Sequence, residues 1–328
     1  MKRFILGFAK FFKDLWFHKK GRIGLIMISI VILLILFAGI LTPYNPYVFD
    51  LDHSLEGPSA AHWLGTDKNG VDILCQILYG GRISLIVGII TGIGTTLFGA
   101  IMGIMAGYFG KVASTIILNI INVLMVIPTL PLMIMLNKIS STYVMMIFIF
   151  ICFGWSGTAR TVRSEVLRLK ETDYIKQAEL NGASKFYIMI NHILPSISHL
   201  LIMSCALSSA GFMMAEAGLS FMGLGDPTKI SWGKMLVAAQ ENAYTNNLWA
   251  WILAPGVALI IVVIAFMQIG FALEDIFNPR MRLQEENYRK SINIKKEELE
   301  DLFNSMDDIT LDEAIKIKED FDDGRPNI

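Results

Sequence analysis

The chain has 328 residues, of which 54% are hydrophobic and 17% are charged, and its mean hydropathy is +0.53. An ordinary soluble domain carries about a quarter charged residues, so this composition excludes a protein whose main solvent is water. The formal net charge of -1 hides an uneven layout, because basic residues crowd positions 1–22 and acidic residues crowd the carboxyl-terminal end.

Apolar stretches of about twenty residues predict membrane-spanning helices, because a helix of this length satisfies its own backbone across a bilayer. The first stretch is longer than the apolar part of a signal peptide and lacks a small-residue cleavage site after it, so we expect it to be retained. The predicted fold class is an all-α integral membrane protein with six transmembrane helices. In chain order they cover 23–41, 84–106, 113–136, 143–159, 197–222 and 248–273.

The distribution of Lys and Arg predicts the orientation of these helices. Basic residues concentrate in the segment 1–22, in the connection 160–196 and just after the sixth helix, at Arg280 and Arg282. Cytoplasmic loops are enriched in such residues, so we expect both termini to be cytoplasmic. The loop 42–83 then lies outside, and its prolines and acids suggest an extended, solvated strap.

Glycines at four-residue spacing mark the second predicted helix. Small residues spaced in this way share one helix face and let another backbone approach closely. We expect tight helix packing, with a glycine hinge as the alternative. The glycines of this series are Gly88, Gly92, Gly99, Gly103 and Gly107. In the third predicted helix, Pro128 and Pro131 predict a kink, because each removes a backbone donor.

The connection 160–196 predicts a helix, a tight turn and a second helix. Thr172 or Asp173 is suited to cap the first helix, Gly182 to adopt the left-handed turn, and Ser184 to cap the second. We expect the second helix to end before Pro195.

Candidate chemistry is sparse within the predicted spans. Glu216 is the one clear ionisable residue there, and we expect either a gate element or an acid satisfied by a partner at an interface. The five histidines and three cysteines form no metal-ligand pattern. No catalytic motif or phosphate-binding glycine loop occurs, so any ATP must be bound by another chain.

The predicted helix, turn and helix within the connection 160–196 resemble the EAA loop of bacterial ABC-importer permeases. Residues 173–184 read DYIKQAELNGAS, and residues 192–195 read HILP. The EAA triplet position holds Lys176, Gln177 and Ala178, so the glutamate and first alanine of the motif are missing, whereas Ala178, Gly182 and the Leu-Pro pair remain.

Other stretches are similar to the C-type permeases of oligopeptide, dipeptide and nickel importers. Residues 62–72 read HWLGTDKNGVD, close to the signature H-x-LGTD-xx-GRD, although Val71 replaces its arginine. Residues 79–85 look like the family's YGARxSL, residues 216–225 like its E-A-x-LSFLGLG, and residues 278–280 like its terminal DPR. The resemblance covers about residues 15–282.

The resemblance implies a permease rather than an enzyme. Its partners would be a second permease subunit, two cytoplasmic ATPase subunits, an external solute-binding protein and the lipid bilayer, with no nucleic acid. This chain would hold no cofactor or metal, since ATP and magnesium bind to the ATPases. It also implies that a coupling helix contacts the ATPase. The implied coupling residues are Tyr174, Lys176, Gln177, Ala178, Glu179, Gly182, Ala183, Ser184 and Phe186.

The implied domain organisation has five parts: a basic cytoplasmic amino terminus at 1–22, a first helix at 23–41, an external loop at 42–83, a permease domain at 84–282 and an acidic cytoplasmic tail at 283–328. The tail is expected to be a solvated extension, and a partner-docking helix is the alternative. Short peptides are the expected solute and nickel or a metal chelate the alternative. Two alternatives come from other functional classes. They are an ATP-independent secondary transporter or channel, and a membrane enzyme.

Overall fold

The computed structural model describes residues 13–137, 142–241 and 248–277. The acidic tail and most of the basic amino-terminal segment therefore lie outside the described residues. Within the described ranges the chain is mostly helical and has no β-strand, only an isolated bridge between Thr66 and Asp72.

The helices are numbered here in chain order. They are α1 Lys19–Leu36, α2 Ala38–Leu41, α3 Ile73–Tyr108, α4 Lys111–Val126, α5 Thr129–Asn137, α6 Tyr143–Gly154, α7 Ser156–Lys170, α8 Asp173–Leu180, α9 Lys185–Ile188, α10 Leu194–Leu219, α11 Trp232–Glu241 and α12 Leu248–Phe277. A 3-10 turn covers Leu51–His53, and π-helical turns cover Met189–Ile193 and Ser220–Leu224.

Four helical segments of the described chain are long and apolar enough to cross a membrane. They are Ile73–Tyr108, Tyr143–Lys170, Lys185–Leu224 and Trp249–Phe277. The α4 helix is apolar but shorter. The expected all-α membrane architecture is confirmed. Four segments of the described chain, rather than the six predicted, meet this criterion of length and apolar composition.

The long helix α3 is the centre of the packing, against α10 on one side and α7 on another. A Cβ built on Gly92 would lie 2.1 Å from Ser209 Oγ, and one on Gly103 would lie 2.7 Å from the carbonyl oxygen of Ala159. The other glycines of the series make similar approaches. The prediction of tight packing is confirmed, because glycine alone leaves room for the neighbouring backbones.

The α3 helix begins at Ile73, earlier than the predicted start at Ser84. Asp72 caps it, since its carboxylate accepts a hydrogen bond of 2.7 Å from the backbone N–H of Cys75. Gly80 and Gly81 fall within the predicted loop 42–83, but they are helical and pack against neighbours. A Cβ on Gly81 would meet Ile35 and Trp232 at 2.7 Å. Glycine here serves packing rather than a turn.

The third predicted span is divided in two. The α4 helix ends at Val126, Ile127 is extended, and α5 begins after Pro128. This agrees with the predicted kink, because proline cannot donate the backbone hydrogen bond that continues a helix. The fourth predicted span continues to Lys170 rather than stopping at Ala159, with a break at Trp155 between α6 and α7.

The loop 42–72 is folded, and the expectation of an extended strap is wrong. The Asp67 carboxylate accepts hydrogen bonds from the N–H groups of Asn69 and Val71 at 2.8 and 2.9 Å, and from the Gln76 amide at 2.7 Å. The Asp67 and Asp72 carboxylates are buried, so the loop folds around these two acids. Asp50 and Asp52 are exposed, in agreement with the expected solvated character.

Candidate functional site

The predicted helix–turn–helix is present at residues 173–188 and is called the 173–188 hairpin below. Thr172 is extended and precedes α8 as its cap residue, as expected. Gly182 has φ of +78°, the left-handed conformation in which a side chain is strained. Ser184 Oγ accepts a hydrogen bond of 3.2 Å from the N–H of Tyr187 and caps α9. The left-handed turn at Gly182 and the cap at Ser184 are therefore confirmed. Thr172 stands at the cap position of α8 without a side-chain cap hydrogen bond.

The second helix of the hairpin does not end before Pro195, so that expectation is wrong. It continues through a π-helical turn at Met189–Ile193 into α10, with Pro195 near the start of α10. The wider π turn changes the local hydrogen-bond spacing, so the helix passes a residue that has no N–H. The hairpin is thus joined directly to a long apolar helix.

Apolar side chains on the inner face anchor the hairpin to the rest of the chain. Ile175 and Ile188 are completely buried. They belong to one hydrophobic cluster with Ile104 of α3 and with Val162 and Val166 of α7. The hairpin therefore packs against two of the long helices as well as continuing into a third.

A polar contact adds to this anchoring. The Tyr108 hydroxyl at the end of α3 donates a hydrogen bond of 2.9 Å to the Glu179 carboxylate of α8. The Lys170 ammonium lies 5.7 Å from the centre of the Tyr108 ring. Sequence reasoning missed Tyr108, and no sequence pattern distinguishes it from the other residues at the end of an apolar helix.

The outer surface of the hairpin carries exposed apolar side chains near the turn. The exposed fraction is 86% for Leu180, 70% for Phe186 and 52% for Tyr187. Large apolar side chains clustered at a surface are typical of contact sites for other proteins. Leu180 and Tyr187 lie within the stretch 174–188 to which the resemblance assigns the coupling role, but they are not among the nine residues named singly for it.

The nine implied coupling residues all lie on this hairpin. Ala178 and Ala183 turn toward the hydrophobic cluster, and the other members are exposed. The Lys176 ammonium pairs with the Glu171 carboxylate at 3.0 Å on the surface. The exposed members are Tyr174, Lys176, Gln177, Glu179, Gly182, Ser184 and Phe186.

Glu216 lies apart from the hairpin, toward the opposite end of α10. Its side chain is fully buried within the described chain. Its carboxylate accepts hydrogen bonds from the Ser84 hydroxyl of α3 at 3.1 Å and from the Ser220 hydroxyl at 2.7 Å. Ser84 Oγ in turn accepts a 3.3 Å hydrogen bond from the N–H of Trp232. The acid thus connects α10, α3 and the start of α11, and sequence reasoning did not identify these partners.

The described residues contain no group of three or more His, Cys, Asp or Glu side chains arranged to hold a metal ion. His62 and Asp72, with side-chain atoms 3.0 Å apart, form a buried pair inside the folded 42–72 loop. The main features of the described residues are the close packing of the long helices, the anchored hairpin and the buried Glu216 carboxylate.

Comparison with known proteins relates this architecture to transport systems. Residues 99–283 match the family described as "Binding-protein-dependent transport system inner membrane component". Residues 8–58 match the "N-terminal TM domain of oligopeptide transport permease C". Members of this family are transport subunits, and separate ATPase subunits hydrolyse the ATP.

Individual relatives extend over most of the chain. A dipeptide transport system permease protein of Alkalihalophilus pseudofirmus is 34% identical over 278 residues, covering 83% of this chain and 89% of that protein. A Brucella abortus protein that carries the name of a peptide transport system permease is 32% identical over 269 residues, covering 81% of this chain and 90% of that protein. The chain therefore belongs to the family of binding-protein-dependent ABC-importer permeases, as a member of its C-type.

Proposed function

We propose that this chain is one of two permease subunits of an importer that moves short peptides across the cytoplasmic membrane. Two cytoplasmic ATPase subunits and an external solute-binding protein would complete the importer. The observation that carries this proposal is the 173–188 hairpin, a surface element anchored to long helices and tipped with exposed apolar side chains. The names of the two relatives, one for dipeptide and one for peptide transport, support peptides as the solute.

The proposal includes six transmembrane helices with both termini in the cytoplasm. The α1–α2 segment would be the first, in keeping with the match of residues 8–58 to a family described as an N-terminal TM domain. The α4 and α5 helices together would be the third span, bent at Pro128. This order puts the hairpin on the same side as the basic amino-terminal segment, in agreement with the charge distribution.

The hairpin would act as the coupling element. Its outer surface, with Leu180, Phe186 and Tyr187, would rest in a cleft of an ATPase subunit, and its inner surface is held by Ile175 and Ile188. Because the same unit contacts α3 and α7 and continues into α10, movement of the ATPase would move three helices together. A flexible loop would absorb that movement.

The energy for transport would come from the partner subunits. ATP and magnesium would bind there, and closure of the two ATPases would push the hairpins of the two permeases toward the outward-facing arrangement. This chain would need no cofactor of its own. Its part is to convert a displacement at the hairpin into a rearrangement of its membrane-spanning helices.

Uptake into proteoliposomes tests the proposal directly. Vesicles would contain this chain with its co-purified permease and ATPase subunits, ATP inside and the solute-binding protein outside. We expect radiolabelled short peptides to accumulate only with ATP, and accumulation to stop with vanadate. Matched vesicles with a non-hydrolysable ATP analogue are the control.

The same vesicles distinguish the alternatives. ATP-driven uptake of nickel without uptake of peptides would replace the peptide assignment by a metal importer. Uptake that proceeds equally without ATP would contradict the ABC-importer mechanism and favour a secondary transporter.

A further inference from the structure

The α4 helix carries exposed polar side chains on the side away from its buried residues. Its buried side chains are Ile117 and Ile121. Asn119 lies two residues from each of them, which is about 200° around a helix, and it is exposed. Thr115 and Asn122 lie on the same face and are also exposed. The side of α4 opposite its packed side is therefore polar between Thr115 and Asn122, with the exposed Val112 and Val126 at its two ends.

A second polar face on α7 adjoins it. Arg160, Thr161 and Ser164 are exposed and lie opposite the buried residues of α7. The Arg160 guanidinium donates a hydrogen bond of 2.9 Å to the side-chain oxygen of Asn122, which connects the two faces. The space beside this contact is open, since a Cβ built on Gly157 would meet nothing within 4 Å. The combined surface is called the polar stripe. It consists of Thr115, Asn119, Asn122, Arg160, Thr161 and Ser164.

Lipid is an unsuitable neighbour for this stripe. The α4 helix is otherwise apolar, and Ile116 and Val123 beside the polar face have exposed fractions of 56% and 61%. Those flanking residues suit hydrocarbon, whereas asparagine amides and an arginine guanidinium lose hydrogen bonds to water when they face lipid. The α4 helix thus has one flank, with Ile116 and Val123, that suits lipid and another, with Thr115 and Asn122, that suits water.

We infer that the polar stripe lines the solute pathway in the cytoplasmic half of the importer and contacts the backbone of the passing peptide. This inference rests on the proposed peptide import. The asparagine amides can both donate and accept hydrogen bonds, as peptide groups require. The Arg160 guanidinium can pair with a peptide carboxylate or carbonyl. Contacts to backbone groups rather than side chains suit a pathway that carries peptides of different sequence.

Thiol labelling of the complete importer tests the assignment. Cys75, Cys152 and Cys205 would first be replaced, and the resulting complex checked for wild-type uptake. Asn119→Cys and Asn122→Cys would then be treated with a charged, membrane-impermeant thiol reagent that has access to the cytoplasmic side. Ile116→Cys and Val123→Cys on the same helix are the matched controls.

We expect the two asparagine positions to react at least about tenfold faster than the controls, because a thiol reacts as a thiolate and ionises in water. We also expect their rates to change when vanadate traps the ATPases. Rates equal to those of Ile116→Cys in every nucleotide state would overturn the inference. Cross-linking of Asn119→Cys to the second permease by a short thiol- and amine-reactive reagent in every state would also overturn it, since the stripe would then be a subunit contact.

Uptake measurements separate this inference from the proposed function. Asn119→Leu and Asn122→Leu should reduce peptide uptake severalfold without loss of complex assembly, while Ile116→Leu leaves it unchanged. Unchanged uptake in both leucine variants would contradict the peptide contact. Absence of ATP-driven peptide uptake by the unmodified complex would contradict the proposed function instead, and the labelling pattern tests water access whichever solute crosses.

Discussion

Tyr108 at the end of α3 donates a 2.9 Å hydrogen bond to Glu179 of the 173–188 hairpin. The ring of Tyr108 is buried in the same hydrophobic cluster as Ile175, so this residue contacts the hairpin through both its apolar and its polar parts. The glycine-rich helix that forms the centre of the packing is thereby fixed to the proposed coupling element. Movement of the hairpin would reach α3 through this contact.

Replacement of Tyr108 by Phe is expected to weaken the coupling between ATP hydrolysis and uptake. It removes the hydroxyl but retains the packed ring, so the change should cost about 1 kcal/mol, the usual contribution of such a hydrogen bond. Peptide uptake per ATP hydrolysed should fall severalfold. A double-mutant cycle with Glu179→Ala measures the pair, and effects that add independently would contradict a direct link.

Gly103→Ala is expected to destabilise the packing of α3 on α7. The added Cβ would lie 2.7 Å from the carbonyl oxygen of Ala159, which is backbone and cannot rotate away. Overpacking of this kind costs about 1–3 kcal/mol. Thermal unfolding of the purified complex in detergent should show a lower Tm.

Gly211→Ala is the matched control for that measurement, because a Cβ there would meet nothing within 4 Å. Alanine also favours a helix more than glycine does, so its Tm should stay the same or rise. Equal destabilisation by the two substitutions would show that close approach at Gly103 is unimportant.

Replacement of Glu216 by Leu is expected to destabilise the junction of α3, α10 and α11. The Ser84 and Ser220 hydroxyls would lose their buried acceptor, at a cost of about 1–3 kcal/mol for each unsatisfied group. Glu216→Gln keeps an acceptor oxygen and should be milder. Tm of the complex measures both, and Met214→Leu, an exposed neighbour on the same helix, is the control. Equal Tm values for Glu216→Leu and the unmodified complex would contradict this structural role.

Local signals in the sequence predicted much of the fold and the hairpin. The left-handed conformation of Gly182 and the cap at Ser184 depend on residues only a few positions away, so both could be predicted from the local sequence. The spacing of Gly88 and Gly92 likewise predicted close packing, although not the partner helix α10. Apolar runs predicted where the long helices lie but not their ends.

The errors arose where distant residues decide the structure. Gly80 and Gly81 were assigned to the loop because their packing is invisible in the local sequence. Gly80 packs against Ile230, and Gly81 against Ile35 and Trp232. The continuation past Pro195 depends on a π turn, which has no simple sequence pattern. The hydrogen bond that the Ser84 hydroxyl donates to Glu216 joins residues far apart in the chain, so the sequence revealed the acid but not its partners.

Gly182→Asp provides the most direct test of the coupling hairpin. A side chain at φ of +78° is strained by about 1 kcal/mol, and a new carboxylate would stand beside the exposed apolar tip. We predict that uptake of peptide into proteoliposomes is lost while the complex still assembles and hydrolyses ATP, and that Gly256→Ala, a helical glycine with open space around it, retains uptake. Full ATP-driven uptake by Gly182→Asp would contradict the assignment of the 173–188 hairpin as the coupling element.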